Sequence, residues 1–214
     1  MAVELYDEHE QSERVRKWIR EYGFSIIMGV VLALAGIFGW RQWLDYQSEQ
    51  ARLASDYYAI VRTELEAGRA DSAEAQYQAM RDAVGRHAYT ALAGMLVANV
   101  MVGQDRLEEA IPIYSEILNR RQLRSLWPVA TLRLARVEFA LGRTDAALDL
   151  LGNTPPEGFE AVWAELRGDL FVEQGELERA RQAYRQAVEK ITHDGGNARL
   201  VQMKLDATGP EGQS

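Results

Sequence analysis

A run of uncharged residues divides the chain into a short polar head and a long body with a helical pattern. The run extends from Gly23 to Trp40, and as a helix rising about 1.5 Å per residue it would measure roughly 27 Å. That length is close to the ~30 Å hydrocarbon thickness of a bilayer. Tryptophan and tyrosine cluster at both ends, where amphipathic rings favour the headgroup level: Trp18, Tyr22, Trp40, Trp43 and Tyr46. The pattern predicts one transmembrane helix over residues 23–40.

Basic residues flank this run unequally, which predicts its orientation. Four precede it and only two follow closely: Arg14, Arg16, Lys17 and Arg20 against Arg41 and Arg52. The cation-rich side of a membrane helix stays in the cytoplasm. We therefore expect a cytoplasmic head (1–22), a periplasmic repeat domain (41–206) and a flexible tail (207–214), in a protein that spans a bacterial inner membrane.

The run differs from a cleavable signal peptide, which has a short basic head and a small-residue cleavage site after its apolar stretch. Here the head is acid-rich, and the Ala-x-Ala pattern of this region, Ala33 to Ala35, lies inside the run.

Small residues also form a stripe, because Gly29, Ala33 and Gly36 share one helix face. Such a stripe could dock on another membrane helix. Membrane helices are also rich in glycine generally, and both interpretations stay open.

The body carries an internal repeat marked by four turns. Gly68, Asp105, Gly142 and Gly175 occupy the turns, at spacings of 37, 37 and 33 residues. An alanine comes five residues after each turn, an aromatic residue or leucine nine after it, and mostly a small residue seven before it: Ala73, Ala110, Ala147, Ala180; Tyr77, Tyr114, Leu151, Tyr184; Val61, Ala98, Ala135, Gly168. This looks like the tetratricopeptide repeat, in which small residues let paired helices touch. The predicted fold class is all-α, a single N-terminal transmembrane helix followed by a tetratricopeptide-like helical-hairpin solenoid.

Two further expectations concern the ends of the repeat array. The stretch ARLVQMKLD is expected to form a short helix that caps the open end with Leu200, Val201, Met203 and Leu205. At the other end, the segment after Trp40 contains no proline or glycine up to Glu66. The membrane helix is therefore expected to continue into the first repeat.

Composition and motifs argue against catalysis. The net charge of −8 and the pI near 5.0 speak against a nucleic-acid binder, and the absence of cysteine excludes thiol nucleophiles and cysteine zinc sites. His9, His87 and His193 lie far apart in sequence. No phosphate-loop, dinucleotide, zinc-protease or hydrolase motif is present, which disfavours a membrane-tethered hydrolase. We predict a protein that is not an enzyme and has no cofactor or metal.

Binding is the remaining class of function. Helical solenoids expose a face lined by the first helix of each hairpin. Three positions in each of three hairpins are expected to form a partner-binding groove: Met95, Asn99 and Val102; Leu132, Arg136 and Phe139; Glu165, Asp169 and Val172. Their mixture of apolar and polar residues suits an extended peptide or an unfolded chain. The same positions could instead contribute to the core between hairpins.

Segments from the whole length of the chain resemble the YfgM family, ancillary subunits of the SecYEG translocon. They are YDEHEQSERVRKWIREYG in the head, GWRQW after the apolar run, and then LRLARV, LRGDLFVEQGELERARQAY and VQMKL. The resemblance implies a cytoplasmic N-terminus and a periplasmic repeat domain. It further implies work beside a SecYEG-type channel and a PpiD-type membrane-anchored chaperone, helping to hand over unfolded or secreted polypeptides. It brings no catalytic residues.

An alternative function fits the same architecture. An envelope scaffold or cell-division coordinator would use the repeats to bind one folded structural partner, without touching unfolded chains. Suppression of the aggregation of an unfolded protein by the repeat domain would separate the two hypotheses.

Overall fold

Nine α-helices and one 3₁₀ helix make up the part of the chain that the structure describes. The computed structural model describes residues 4–191 and 198–209, with side chains from residue 14 onward. The helices are α1 (Glu4–Glu66), α2 (Ala70–Val84), α3 (Ala88–Gly103), α4 (Leu107–Leu118), the 3₁₀ helix (Arg121–Leu126), α5 (Trp127–Ala140), α6 (Thr144–Leu151), α7 (Glu160–Glu173), α8 (Leu177–Lys190) and α9 (Ala198–Ala207). No strand occurs within these ranges, and the predicted all-α class is confirmed. His193 and residues 210–214 of the predicted tail lie outside the described residues.

The chain divides into two compact units, Met1–Leu53 and Ala54–Ser214. The described part of the first unit is the N-terminal portion of α1. Its apolar side chains are open along the predicted span, as Phe24 and Phe38 show with 75% and 70% exposure. No residue in the most apolar 18-residue stretch of this helix is buried. By length and composition this helix can cross a membrane, and the predicted long apolar N-terminal helix is confirmed.

Each hairpin of the second unit turns on one residue with positive φ. The angle is 73° to 74° at Gly68, Gly142 and Gly175, and 62° at Asp105. A left-handed backbone costs a residue with a side chain about 1–2 kcal/mol, which accounts for glycine at three of the four turns. The residue after each turn donates its N–H to a carbonyl five residues earlier, which closes the helix with Schellman geometry.

The repeat positions found in the sequence are buried in the structure. The alanines five residues after the turns are fully buried: Ala73, Ala110, Ala147 and Ala180. At Gly168 the missing side chain makes room for a ring, since a Cβ there would lie 2.4 Å from Cε1 of Tyr184. The predicted helical-hairpin repeat is confirmed, with α1/α2, α3/α4, α5/α6 and α7/α8 as its four hairpins.

Arginines that follow the turns connect consecutive hairpins. The Nη1 atom of Arg106 lies 3.1 Å from Oε2 of Glu74, in the second helix of the preceding hairpin. Arg143, the equivalent arginine after the next turn, forms an ion pair with Glu108 of α4. These side chains are partly exposed, so each pair contributes only about 0–1 kcal/mol. The two arginines are equivalent in the repeat but their partners are not, since Glu74 lies six residues after its turn and Glu108 three residues after its own.

Helix α9 takes the place of a first helix in a fifth repeat. Gly209 follows it with a φ of 80°, 34 residues after Gly175. Its N–H donates to a carbonyl three residues earlier, as at the other glycine turns. Val201, eight residues before Gly209, is buried, as is Leu134 eight residues before Gly142. The array therefore ends in half a repeat.

This placement corrects part of the capping prediction. Val201 is buried and Leu205 packs against the neighbouring core cluster. Leu200 and Met203 are 47% and 59% exposed, because their spacing from Val201 turns them to the open side of the helix. Thr208, at the start of the predicted flexible tail, is only 7% exposed.

Replacing Gly168 by alanine is expected to destabilise the repeat domain by about 1–3 kcal/mol, because the added Cβ overpacks the Tyr184 ring. For a chain of this size, 1 kcal/mol lowers the thermal midpoint by about 2–4 °C. The measurement is the melting of the detergent-solubilised full chain followed by circular dichroism.

The matched control is Gly103→Ala, where a Cβ at the end of α3 would meet nothing within 4 Å. That change should be neutral or raise the midpoint, since alanine favours helix over glycine. Equal midpoints for the two variants would contradict the packing at the α7/α8 crossing.

Candidate functional site

The residues predicted to line a groove lie in different environments. Met95 and Leu132 are 5% and 6% exposed and belong to the hydrophobic core. Both stand ten residues before a turn, a position at which the helix packs on the next hairpin. A partner therefore cannot reach them. Val102 and Phe139 are half-buried against the same core clusters.

An open row of residues remains on the first helices of the hairpins. It consists of the residues six positions before each turn: Arg62, Asn99, Arg136, Asp169 and, counted from Gly209, Met203. We call this row the A-helix face. All are exposed except Asp169, which is half-buried, and Val172 of the predicted groove is also exposed. Asn99, Arg136 and Asp169 belong to the predicted groove, whereas Arg62 and Met203 do not.

Lys204 of α9 bridges the two acidic residues of the predicted groove. Its Nζ lies 2.8 Å from Oε1 of Glu165 and 2.8 Å from Oδ2 of Asp169. The hydroxyl of Tyr184 donates to the other oxygen of Asp169 over 2.8 Å. The carboxylates of Glu165 and Asp169 are thus both paired with groups of the same chain. They hold the terminal half-repeat in place.

The ionisation of this cluster suits a structural role. Burial lowers the pKa of Lys204, but its hydrogen bonds to Asp169 and Glu165 and their charges outweigh burial and raise the pKa above its ordinary value. Burial raises the pKa of Tyr184, and its hydrogen bond to Asp169 raises it further. At neutral pH the lysine is charged and the phenol protonated, so neither group is poised for proton transfer.

A buried arginine makes the second attachment of α9. Arg181 is 5% exposed, and its Nη2 donates to the carbonyl oxygen of Thr208 over 2.6 Å. Its Nη1 donates to Glu178 over 2.6 Å. Nothing in the sequence signals this contact, because an arginine within a charged helix is normally solvated.

Arg136 is the charged residue of the A-helix face that forms no ion pair with a described residue. Arg62 pairs with Glu66 at 3.1 Å, and Asp169 pairs with Lys204, which it shares with Glu165. Arg136 is exposed and has no ion pair or hydrogen bond with any residue in the described ranges 4–191 and 198–209. Its guanidinium can therefore bind an external acceptor without first losing an internal one.

The small-residue stripe of the first unit is also open. A Cβ at Gly29 or Gly36 would meet nothing within 4 Å, and Ala33 is exposed. The docking role of this stripe stays a prediction. Among the described residues, no three His, Asp or Glu side chains come together as a metal site would require.

Comparison with known proteins places these features in a family. Residues 16–210 match the tetratricopeptide repeat-like domain family. An Escherichia coli K12 protein named ancillary SecYEG translocon subunit is 33% identical over 95% of this chain and 98% of its own length. A Haemophilus influenzae protein of the same name is 29% identical over 87% of this chain and 91% of its own.

A solved structure resembles the fold. MamA from Desulfovibrio magneticus RS-1, residues 41 to the end, superposes with a TM-score of 0.53 at 16% identity, covering 73% of this chain and 89% of its own. The fold thus defines a tetratricopeptide-like repeat protein with an apolar N-terminal helix. The chain belongs to the family of ancillary SecYEG translocon subunits.

Replacing Lys204 by methionine is expected to loosen α9, because Glu165 and Asp169 would keep their charges without a cationic partner. A partly buried ion pair contributes more to stability than an exposed pair, and its loss costs less than breaking a fully buried pair. We therefore expect the free energy of unfolding to fall by about 1–3 kcal/mol. Hydrogen exchange followed by mass spectrometry on the full chain should show faster exchange over residues 198–207, with little change in α3.

Lys190→Met is the matched control, because Lys190 is exposed and forms no ion pair with a described residue. The folded-state pKa of Lys204 is raised above 10.5. Its contribution to stability is therefore complete below that pH and is lost as pH rises through the folded pKa. Unchanged exchange of α9 in Lys204→Met would contradict the bridging role.

Proposed function

We propose that the protein is a non-enzymatic accessory subunit of a Sec translocon. The observation that carries this proposal is the 33% identity to the E. coli ancillary SecYEG translocon subunit across 95% of the chain, which includes both the apolar helix and the repeats. A shared repeat domain alone would support only the fold. Similarity along both parts supports the same role.

The proposal includes a membrane arrangement. The apolar helix anchors the protein in the inner membrane as a single span, with residues 1–22 in the cytoplasm and the repeat domain in the periplasm. The excess of basic residues before residue 23 supports this orientation. The open stripe of Gly29, Ala33 and Gly36 contacts a membrane helix of the SecYEG-type channel.

The repeat domain then contacts proteins on the periplasmic side. Its partners are a PpiD-type membrane-anchored chaperone, emerging unfolded or secreted polypeptides, or both. The exposed and chemically mixed residues of the A-helix face support this role. An envelope scaffold or cell-division coordinator remains the alternative, and it would use the same face for one folded partner.

Affinity purification of the intact protein in gentle detergent, with mass spectrometry of the co-purifying proteins, tests the proposal. We expect SecY-type channel subunits and a membrane-anchored chaperone. Recovery of cell-wall or division proteins without the channel would favour the scaffold instead.

The triple change Gly29→Leu, Ala33→Leu, Gly36→Leu tests the membrane contact. It should reduce recovery of the channel several-fold, because leucine side chains prevent close helix approach. Ala35→Leu with Gly39→Leu, which alters small residues off the stripe, is the control. Equal recovery from both variants would remove the stripe from the interface.

A further inference from the structure

The A-helix face changes in character towards its C-terminal end. Arg136 on α5 carries a charge that no described residue balances. Asp169 on α7 forms an ion pair with Lys204, which also pairs with Glu165. On α9, Leu200 and Met203 are 47% and 59% exposed. The A-helix face therefore presents a cation without a described partner on α5 and an apolar residue, Met203, on α9, where Leu200 is exposed beside it.

The row is continuous from α7 to α9. Met203 directly precedes Lys204, whose Nζ lies 2.8 Å from Asp169, the row member of α7. Lys204 stands five residues before its turn and touches Glu165, ten before the previous turn. One hairpin earlier, Leu170 lies five residues before its turn and Leu132 lies ten residues before the preceding turn. These two leucines belong to the same core cluster. The same helix-to-helix relation thus repeats from α5 to α9.

From this arrangement we propose that the A-helix face binds an extended polypeptide segment, with a carboxylate on Arg136 and an apolar side chain on Leu200 and Met203. This inference rests on the proposed contact with emerging polypeptides. Neighbouring helices pack about 8–10 Å apart, so the two subsites are about 16–20 Å apart. An extended chain covers that distance in about five or six residues at roughly 3.3 Å each.

The chemistry of the face selects this ligand over others. A guanidinium pairs with a carboxylate through two parallel hydrogen bonds. Asn99, one hairpin before Arg136, offers an amide that can both donate to and accept from a peptide backbone. A nucleic acid would also suit Arg136, but the protein's net charge of −8 repels it.

Fluorescently labelled peptides provide the probe. Each carries one aspartate and one leucine in a glycine–serine background, separated by either five or two residues, in both chain directions. Binding to the full-length protein in detergent is measured by fluorescence anisotropy. We expect one direction of the long-spaced peptide to bind about tenfold more tightly than its short-spaced version, because only the long spacing reaches both subsites.

Variants assign the two subsites. Arg136→Gln should weaken binding of the long-spaced peptide about tenfold, and so should Leu200→Gln with Met203→Gln. Arg86→Gln and Leu177→Gln are matched controls, since both residues are exposed and lie off the face. Arg136→Glu should bind a peptide with lysine in place of aspartate more tightly than the aspartate peptide, a result that misfolding cannot produce.

Several results would overturn the inference: no binding of any peptide, equal affinity for the two spacings, or no charge reversal with Arg136→Glu. Channel recovery by the same Arg136 variants separates this inference from the proposed function. If the channel still co-purifies while peptides fail to bind, the translocon role stands and the peptide site does not.

Discussion

Close contact between the two helices of each hairpin is the constraint on which the repeat domain depends. At the α7/α8 crossing there is no room even for a methyl group between Gly168 and the Tyr184 ring. In every hairpin the alanine five residues after the turn is fully buried as well. Because each crossing is fixed this closely, each hairpin presents the same side of its first helix, and stacking the hairpins aligns these sides into one row.

The features that the sequence predicted are those that a short stretch of chain determines by itself. An uncharged run of bilayer length needs no distant partner to be recognised. The turns at Gly68, Gly142 and Gly175 are likewise local, since a positive φ favours glycine wherever it occurs. Repetition at near-constant spacing then made Asp105 recognisable as a turn although it is not glycine.

The features that were missed depend on contacts between distant residues. Lys204 meets Glu165 across 39 positions, and Arg181 meets Thr208 across 27. No rule of sequence spacing predicts contacts between such distant residues. The half-repeat of α9 was missed because its small-residue position holds Gln202. The sequence predicts Met95 and Leu132 in the groove, although both are buried in the core. Periodicity identifies a helix face but does not show which edge of that face the next hairpin covers.

The polar attachment of α9 explains how one helix can both end the array and extend its open face. A solenoid must cover its last apolar surface, and Val201 and Leu205 do so from the inner side of α9. Much of the remaining attachment is polar, through Lys204 and the buried Arg181. The apolar residues on the other side of α9 are therefore not needed for docking. Met203 and its neighbour Leu200 stay exposed beside the row that begins on α1, where an extended chain lying along the row can reach them.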